Sequence, residues 1–407
     1  MNLTGPLLRR VTLRNYKSIS ACRVDLGPLV FLVGPNGAGK SNFLDALRLV
    51  SESLSTSLDH ALRDRGTIKE VRRRSGGHPN HFAIRLDFSL PNGRVGHYSF
   101  RVAARSAGGY EVQTEECRVA EGAALEGGDH FRVDRGKVTS ASFSPQPAAI
   151  PDRLFLVAAS GTPQFRPVFD ALSRIRIYNL IPRELAAMQK PDPGDLLRRD
   201  GSNAASVLQR LTPAVRERVD EHLSRIVAGL SSADPKTLAS QETIEFRQTV
   251  RGQKHPWRFL ASSMSDGTLR AFGVLLAAFQ AASRREGAIP PLVVGVEEPE
   301  VALHPAAAGV LLGALREASR TCQILVTSHS PDLLDNPDIP IDALRAVDNR
   351  DGLTRIGPID AAGRNVLREK LFTAGELLRQ NQLAPDETAL QDVDDERQLE
   401  LFELQSR

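Results

Sequence analysis

Cysteine is scarce, and Cys22, Cys117 and Cys322 stand far apart. Their number and spacing suit neither a metal-ligand set nor a disulfide framework; they read as small buried apolar residues in a reducing cytosol. No apolar run approaches the length of a membrane span, and the N-terminus shows no signal-peptide apolar segment. A membrane partner is therefore not expected. Internal repeats and long heptad runs are missing too, which excludes a solenoid or an extended coiled coil. Net charge is small, at +3, but its distribution is lopsided. Residues 383–407 hold eight acids against two bases, about −6, which leaves about +9 on the rest. A basic body admits a phosphate-rich partner, and the acidic tail reads as a separate, flexible object.

What is present begins at Gly34-Pro35-Asn36-Gly37-Ala38-Gly39-Lys40-Ser41, which fills every fixed position of the phosphate-loop pattern. A short apolar run, 29–33, precedes it as a buried strand, and residues 42–49 follow with helical spacing. Glycines let successive N–H groups point at phosphate oxygens, and the helix N-terminus adds a positive dipole end. Asn36, Gly37, Gly39, Lys40 and Ser41 are the cofactor-binding candidates. Lys40 reaches the β/γ-phosphates of ATP and the Ser41 hydroxyl ligates Mg²⁺.

Strand patterns continue over 82–88, 95–102 and 110–119, with turns at Pro91-Asn92-Gly93 and Gly108-Gly109. The pattern turns helical from about 151 to 230, then alternates again over 243–250. Buried-type strands at 291–296 and 323–327 flank a helix at 306–319. The expected organisation is an N-terminal ATPase lobe over 1–145, a helical insert over 146–240, a C-terminal lobe over 241–380 and the tail from 381.

Three further motifs lie in the second half. Ser265-Asp266-Gly267 opens an apolar helix, Glu297-Glu298 ends one buried strand, and His329 ends another. Phosphoryl transfer to water needs a held metal, a group that orients the water and donors for γ-phosphoryl charge. Glu297 can hold Mg²⁺ with Ser41, Glu298 can orient the water as base, and His329 can bond the γ-phosphate or the water. Ser265 and Gly267 at a helix start can cap a γ-phosphate. Singly, each is an ordinary cap, strand end or structural histidine; together and in this order they are specific.

These residues resemble the ABC-type ATPase heads of the SMC and RecF group. More closely, they resemble the bacterial AAA-family ATPases related to the overcoming-lysogenization-defect proteins. The resemblance runs from Leu8 to about Leu378 and includes Leu13-Arg14-Asn15-Tyr16-Lys17-Ser18, Asp200-Gly201-Ser202-Asn203, Leu303-His304-Pro305 and the motifs above. It implies an α/β fold: a P-loop ATPase head with an antiparallel β subdomain and a helical insert. It implies a homodimer in which the Ser265 signature of one head completes the ATP site of the other, with Arg14 and Lys17 beside the nucleotide base. The chain departs from the group's pattern in Asp266, where transporter heads have glycine, and in Glu297, where most relatives have aspartate. The Q-loop glutamine is open between Gln146, Gln164 and Gln189. The stretch after His329 is too short for the nuclease domain that relatives carry there, so a nuclease or other effector is expected on a separate chain.

Arg63, Arg65, Lys69, Arg72, Arg73 and Arg74, followed by a turn at Ser75-Gly76-Gly77-His78, form a basic stretch suited to DNA phosphates or to a charged face. Finally, Gln398, Leu399, Leu401 and Phe402 resemble the short tail motif with which replication and repair proteins bind the DNA polymerase sliding clamp. The competing expectation is a terminal amphipathic helix.

Overall fold

A computed structural model describes residues 7–74, 79–122, 127–283, 290–394 and 401–403, without the side chains of 391–394. The chain divides into two compact units. One holds Leu3–Ile175, Pro340–Phe372 and Gln380–Arg407; the other holds Arg176–Ile339 and Thr373–Arg379.

The first unit is dominated by a seven-stranded antiparallel sheet. Its spatial order is Ile19–Asp25, Leu8–Tyr16, His81–Ser89, Arg94–Ala104, Tyr110–Glu121, Asp129–Asp134 and Lys137–Ala141. Alternation puts Phe82, Ile84, Leu86, Tyr98, Phe100, Phe131 and Val133 in the core. Edge-to-face contacts such as Phe82 with Tyr16 and Phe131 with Phe165 fill it. In the same unit the strand Leu29–Val33, buried at every position, pairs in parallel with Leu344–Arg350, and that strand pairs antiparallel with Leu353–Pro358. The helix Lys40–Ser55 follows the first of these strands.

The second unit is built on the strand Val293–Glu297, flanked in parallel by Gln323–Ser328 and Arg176–Tyr178. The helix Asp266–Phe279 is buried over most of its length. A three-stranded antiparallel meander comprises Leu230–Leu238, Gln241–Gln248 and Trp257–Leu260. No helix among the described residues is long and apolar enough to cross a membrane.

Two sequence expectations need correction. The segment 146–240 is not purely helical: it contains the strands Arg176–Tyr178 and Leu230–Leu238, and the unit boundary falls inside it. Arg176–Tyr178 is recruited by Val293–Glu297, far along the chain, whereas Leu230–Leu238 forms a hairpin with the adjacent Gln241–Gln248. The tail is not a free acidic object either. It forms a helix, Glu387–Asp394, whose Glu387 pairs at 2.8 Å with both Arg350 and Arg355, while Asp386 pairs with Arg364 at 2.9 Å. The terminal amphipathic helix at 393–404 is not formed at Leu401–Glu403, which carries no helix.

All three cysteines are buried, and burial pushes the thiols of Cys22 and Cys322 up to about 12 and that of Cys117 upward as well. Glu115 is the other buried acid of note. It accepts hydrogen bonds from the N–H groups of Phe155 (2.5 Å) and Leu156 (2.8 Å) and from the Tyr98 hydroxyl (2.9 Å). Burial outweighs these bonds and raises the acid from 4.5 to about 7. Between those values the folded chain binds more protons than the unfolded one, so stability falls as pH rises across the interval. Denaturation of wild type and Glu115→Gln from pH 4.5 to 7.5 should show a loss in wild type of about 3 kcal/mol that the variant lacks.

Candidate functional site

The residues predicted from sequence fall into two constellations, one in each unit. The first is the phosphate loop. Its glycines are required by contact and by backbone conformation. A Cβ on Gly34 would lie 1.9 Å from the Val347 carbonyl oxygen, and one on Gly39 would lie 2.1 Å from Thr354 Oγ1. Gly37 and Gly39 have φ of 76° and 104°, the left-handed region. Thr354 Oγ1 donates to the Ala38 carbonyl at 2.8 Å and meets Ser18 Oγ at 2.7 Å. Asn42 Nδ2 also donates to Ser18 Oγ, at 2.6 Å. Lys40 Nζ closes the loop by donating to the carbonyls of Gly34 (2.8 Å) and Pro35 (2.9 Å).

The helix Lys40–Ser55 has no side-chain cap and no acid in its first turn. Its N-terminal donors and dipole end therefore favour an anion. Exposed Asn36, Gly37 and Ser41 edge the loop. A loop with no room for a Cβ at Gly34 or Gly39, a lysine and an uncapped helix start together fit a polyphosphate, and the Ser41 hydroxyl fits its Mg²⁺.

Behind the loop, one helix turn in, lies Asp45. It receives the Tyr16 hydroxyl at 2.8 Å and pairs with Lys17 (2.5 Å), Arg48 (2.7 Å) and Arg65 (3.0 Å). Burial pushes its carboxyl up, but Arg65 and then Lys17 more than reverse this and hold it well below the usual range. Asn15 and Lys17 adopt left-handed φ of 53° and 48°, which turns Lys17 toward Asp45 and Ser18 toward the loop. Arg14 lies on the strand Leu8–Tyr16, in register with Ala21 and Ala83.

This cluster withdraws Arg65 from the outward part of the basic stretch. The Arg65 side chain is 2% exposed and also donates to Glu52 at 2.6 Å. Arg63 pairs with Asp59, Arg74 with Glu70, and Arg72 donates to the Pro79 carbonyl. The turn Ser75–His78 lies outside the described residues.

The second constellation is framed by Arg270, on the helix Asp266–Phe279. Its guanidinium donates to the backbone carbonyls of Glu297, Glu298 and Leu180, each at 3.2 Å. Gly267 packs so closely that a Cβ would lie 2.3 Å from the Ala302 carbonyl oxygen. Ser265 is the helix N-cap: its Oγ accepts from the Thr268 N–H at 3.3 Å and meets Thr268 Oγ1 at 2.9 Å. Glu297 ends its strand and pairs with Arg199 at 3.1 Å. Glu298 has φ 46°, and its N–H donates to the Thr327 carbonyl at 3.0 Å. Its Oε1 lies 3.0 Å from His329 Nδ1, so the Nδ1–H tautomer donates to the carboxylate. Glu300, buried beside them, accepts from Ser328 Oγ at 2.6 Å, and burial pushes its carboxyl pKa up.

Glu297, Glu298 and His329 are thus brought together, on a frame shared with Ser265 and Gly267. Sequence reasoning gave no role to Arg199, whose partner lies 98 residues away, or to Arg270, whose partners lie 27, 28 and 90 residues away. Arg199 adjoins the Asp200–Asn203 motif, a braced turn in which Asn203 Nδ2 donates to Asp192 and to the Leu196 carbonyl. Of the Q-loop candidates, Gln189 is spent on structure, bonding Ala205, Glu184 and Gly201. Gln146 is exposed and Gln164 half-buried.

Two family models match the chain: "AAA ATPase domain" over residues 7–97 and "AAA domain, putative AbiEii toxin, Type IV TA system" over residues 146–335. No curated protein matches the sequence. Among solved structures, the chain resembles an SMC head bound to the C-winged helix domain of ScpA, at 14% identity and a TM-score of 0.56 over 88% of this chain and 100% of that one. It also resembles an SMC head from Pyrococcus furiosus with an extended coiled coil, bound to the C-terminal domain of ScpA. That match has 13% identity and a TM-score of 0.51, covering 90% and 99% of the two chains.

Removing Asp45 leaves Arg65 buried beside a single remaining carboxylate, and breaking such a pair from one side is costly. Asp45→Ala should lose about 3 kcal/mol in chemical denaturation, and Asp45→Leu/Arg65→Met should recover part of it.

Proposed function

We propose, for a chain that joins AAA-family ATPase segments to the fold of an SMC head, that it hydrolyses ATP as a pair of heads and works in DNA-linked repair, replication-associated maintenance or anti-phage defence. The observation that carries the ATPase reading is Glu298. It is a non-glycine residue held in the left-handed region, with its carboxylate against His329 and its strand end fixed by Arg270. Backbone strain of this kind costs about 1–3 kcal/mol and is retained where the surroundings over-determine it, often at sites of chemistry.

In this reading the loop from Gly34 to Ser41 binds the phosphates of ATP, and Lys40 exchanges its loop carbonyls for phosphate oxygens. Ser41 and Glu297 would hold Mg²⁺, which would supply positive charge to offset that of the phosphates. Glu298 orients and deprotonates the attacking water, and His329 keeps the carboxylate aimed. Ser265, with Gly267 beside it, caps the γ-phosphate bound to a second copy, a placement that rests on the resemblance to SMC and RecF heads. Glu298→Gln should keep ATP binding and slow phosphate release by about 10²–10⁴, eluting as a dimer with ATP. Adding Ser265→Asp, which preserves the N-cap but sets a negative charge toward phosphate, should return the variant to monomer. Parental turnover in Glu298→Gln would remove Glu298 as the base. A dimer unchanged by Ser265→Asp would remove the trans arrangement.

A second reading is favoured by the internal pairing of Arg63, Arg65, Arg72 and Arg74: an ATP-switched regulatory subunit that controls a separate effector such as a nuclease. An SMC head of the same fold has been solved with a partner's winged-helix domain bound, a precedent for a protein partner. Duplex DNA should raise wild-type turnover several-fold under the first reading. Under the second, DNA has no effect and a co-purifying protein raises it. The sliding clamp remains a partner of the first reading through the tail, although Gln398 and Leu399 lie outside the described residues.

A further inference from the structure

The outward face of the seven-stranded sheet is polar by alternation, yet its centre is buried. Register places Arg85 and Glu116 opposite Ser99, and Arg132 opposite Glu116, so these residues share one face with His97 and Arg101. His97, Ser99 and Glu116 are fully buried there. Glu116 joins the cluster by pairing with His97 Nε2 at 2.8 Å and Arg132 at 3.1 Å.

A described part of the cover is the chain's own tail. Leu401 is 6% exposed. The Phe402 ring lies beneath two guanidinium groups, with its centroid 5.3 Å from Arg101 Cζ and 5.8 Å from Arg132 Cζ. Glu403 closes the contact twice. Its carboxylate accepts from Arg85 at 2.5 Å, with His97 Nδ1 at 3.6 Å, and its backbone N–H donates to Glu116 Oε1 at 2.9 Å. Burial pushes the Glu403 carboxyl up, but Arg85 and His97 overcome this and keep it ionised.

We propose that the Arg85, Arg101, Arg132 and Glu116 face is a peptide-binding site that recognises a leucine-aromatic-carboxylate segment, with Leu401–Phe402–Glu403 as its resident occupant. Each element of the segment meets a distinct feature. The aromatic ring offers its π face to two cations, the carboxylate takes a guanidinium, and the following chain direction is set by one backbone donor to a buried acid. Leu401 and Phe402 are two of the three apolar residues of the tail motif, so a tail seated here is withheld from any outside pocket, and one captured elsewhere leaves this face open. Six residues separate Asp394 from Leu401, so intramolecular docking operates at an effective concentration on the order of millimolar.

The test uses full-length protein and a fluorescent peptide of residues 390–407. Full-length Phe402→Ala/Glu403→Ala, whose own tail cannot seat, should bind the peptide at micromolar strength. Wild type, with its site filled, should bind it about 10²–10³-fold more weakly. The peptide carrying the same two substitutions should not bind. A second variant, Arg132→Ala in the double-substituted chain, should weaken the peptide at least tenfold while a matched thermal melt confirms that it folds. Equal binding by wild type and the double variant, or by neither, overturns the proposal. An ATP-independent wild-type dimer that the double variant lacks would assign the segment to a neighbouring copy and overturn the intramolecular occupancy. None of these readouts requires ATP hydrolysis or DNA, so they stand apart from the ATPase reading.

Discussion

The charge on Asp45 is the constraint on which the phosphate-loop side of the protein rests. A single carboxylate on the loop helix collects a phenol from one strand, an ammonium from the turn after it and two guanidinium groups from later chain. Coulombic attraction in a desolvated setting is strong but exacting, because each partner must also satisfy its remaining donors. Arg65 Nη1 does so with Glu52 and the Ala61 carbonyl. The helix carrying Lys40 and Ser41 is thereby fixed by ionic contacts as well as by its apolar face.

The second unit reaches the same end by different means. There the fixing group is a cation, Arg270, and its acceptors are backbone carbonyls rather than side chains. Burial lowers the proton affinity of that guanidinium, yet three carbonyl acceptors return much of the lost hydration. Helix start, strand end and the left-handed Glu298 are consequently parts of one rigid assembly. Arg270 and the close approach of Gly267 to the Ala302 carbonyl tie the helix start to the segment that carries the paired acids.

The phosphate loop was legible because its signal is local: eight consecutive residues, with strand and helix patterns on either side. The strands from 81 to 121 were legible because apolar residues alternate cleanly against one core. Leu344–Arg350 and Leu353–Pro358 went unread because their outer face is a charged ladder, Asp348 opposite Arg355, which imitates loop composition. Leu230–Leu238 carries Pro235 and stands at the edge of its meander, where a missing N–H is tolerated. At the site, Glu297, Glu298 and His329 were readable as motifs, whereas Arg199 and Arg270 act through contacts that no sequence window contains. In the basic stretch, the charge of Arg65 is visible in sequence, whereas its burial against Asp45 and Glu52 is not.

The three buried cysteines have a practical reach beyond packing. A thiol held in apolar surroundings with its proton affinity raised is almost wholly protonated at neutral pH, and the thiolate is the reactive form. In the folded chain all three are therefore silent toward alkylating and oxidising reagents. Cys22 and Cys117 sit in the first unit and Cys322 in the second. Labelling them under increasing denaturant, followed by peptide mapping, turns the native sequence into its own two-channel reporter of which unit opens first.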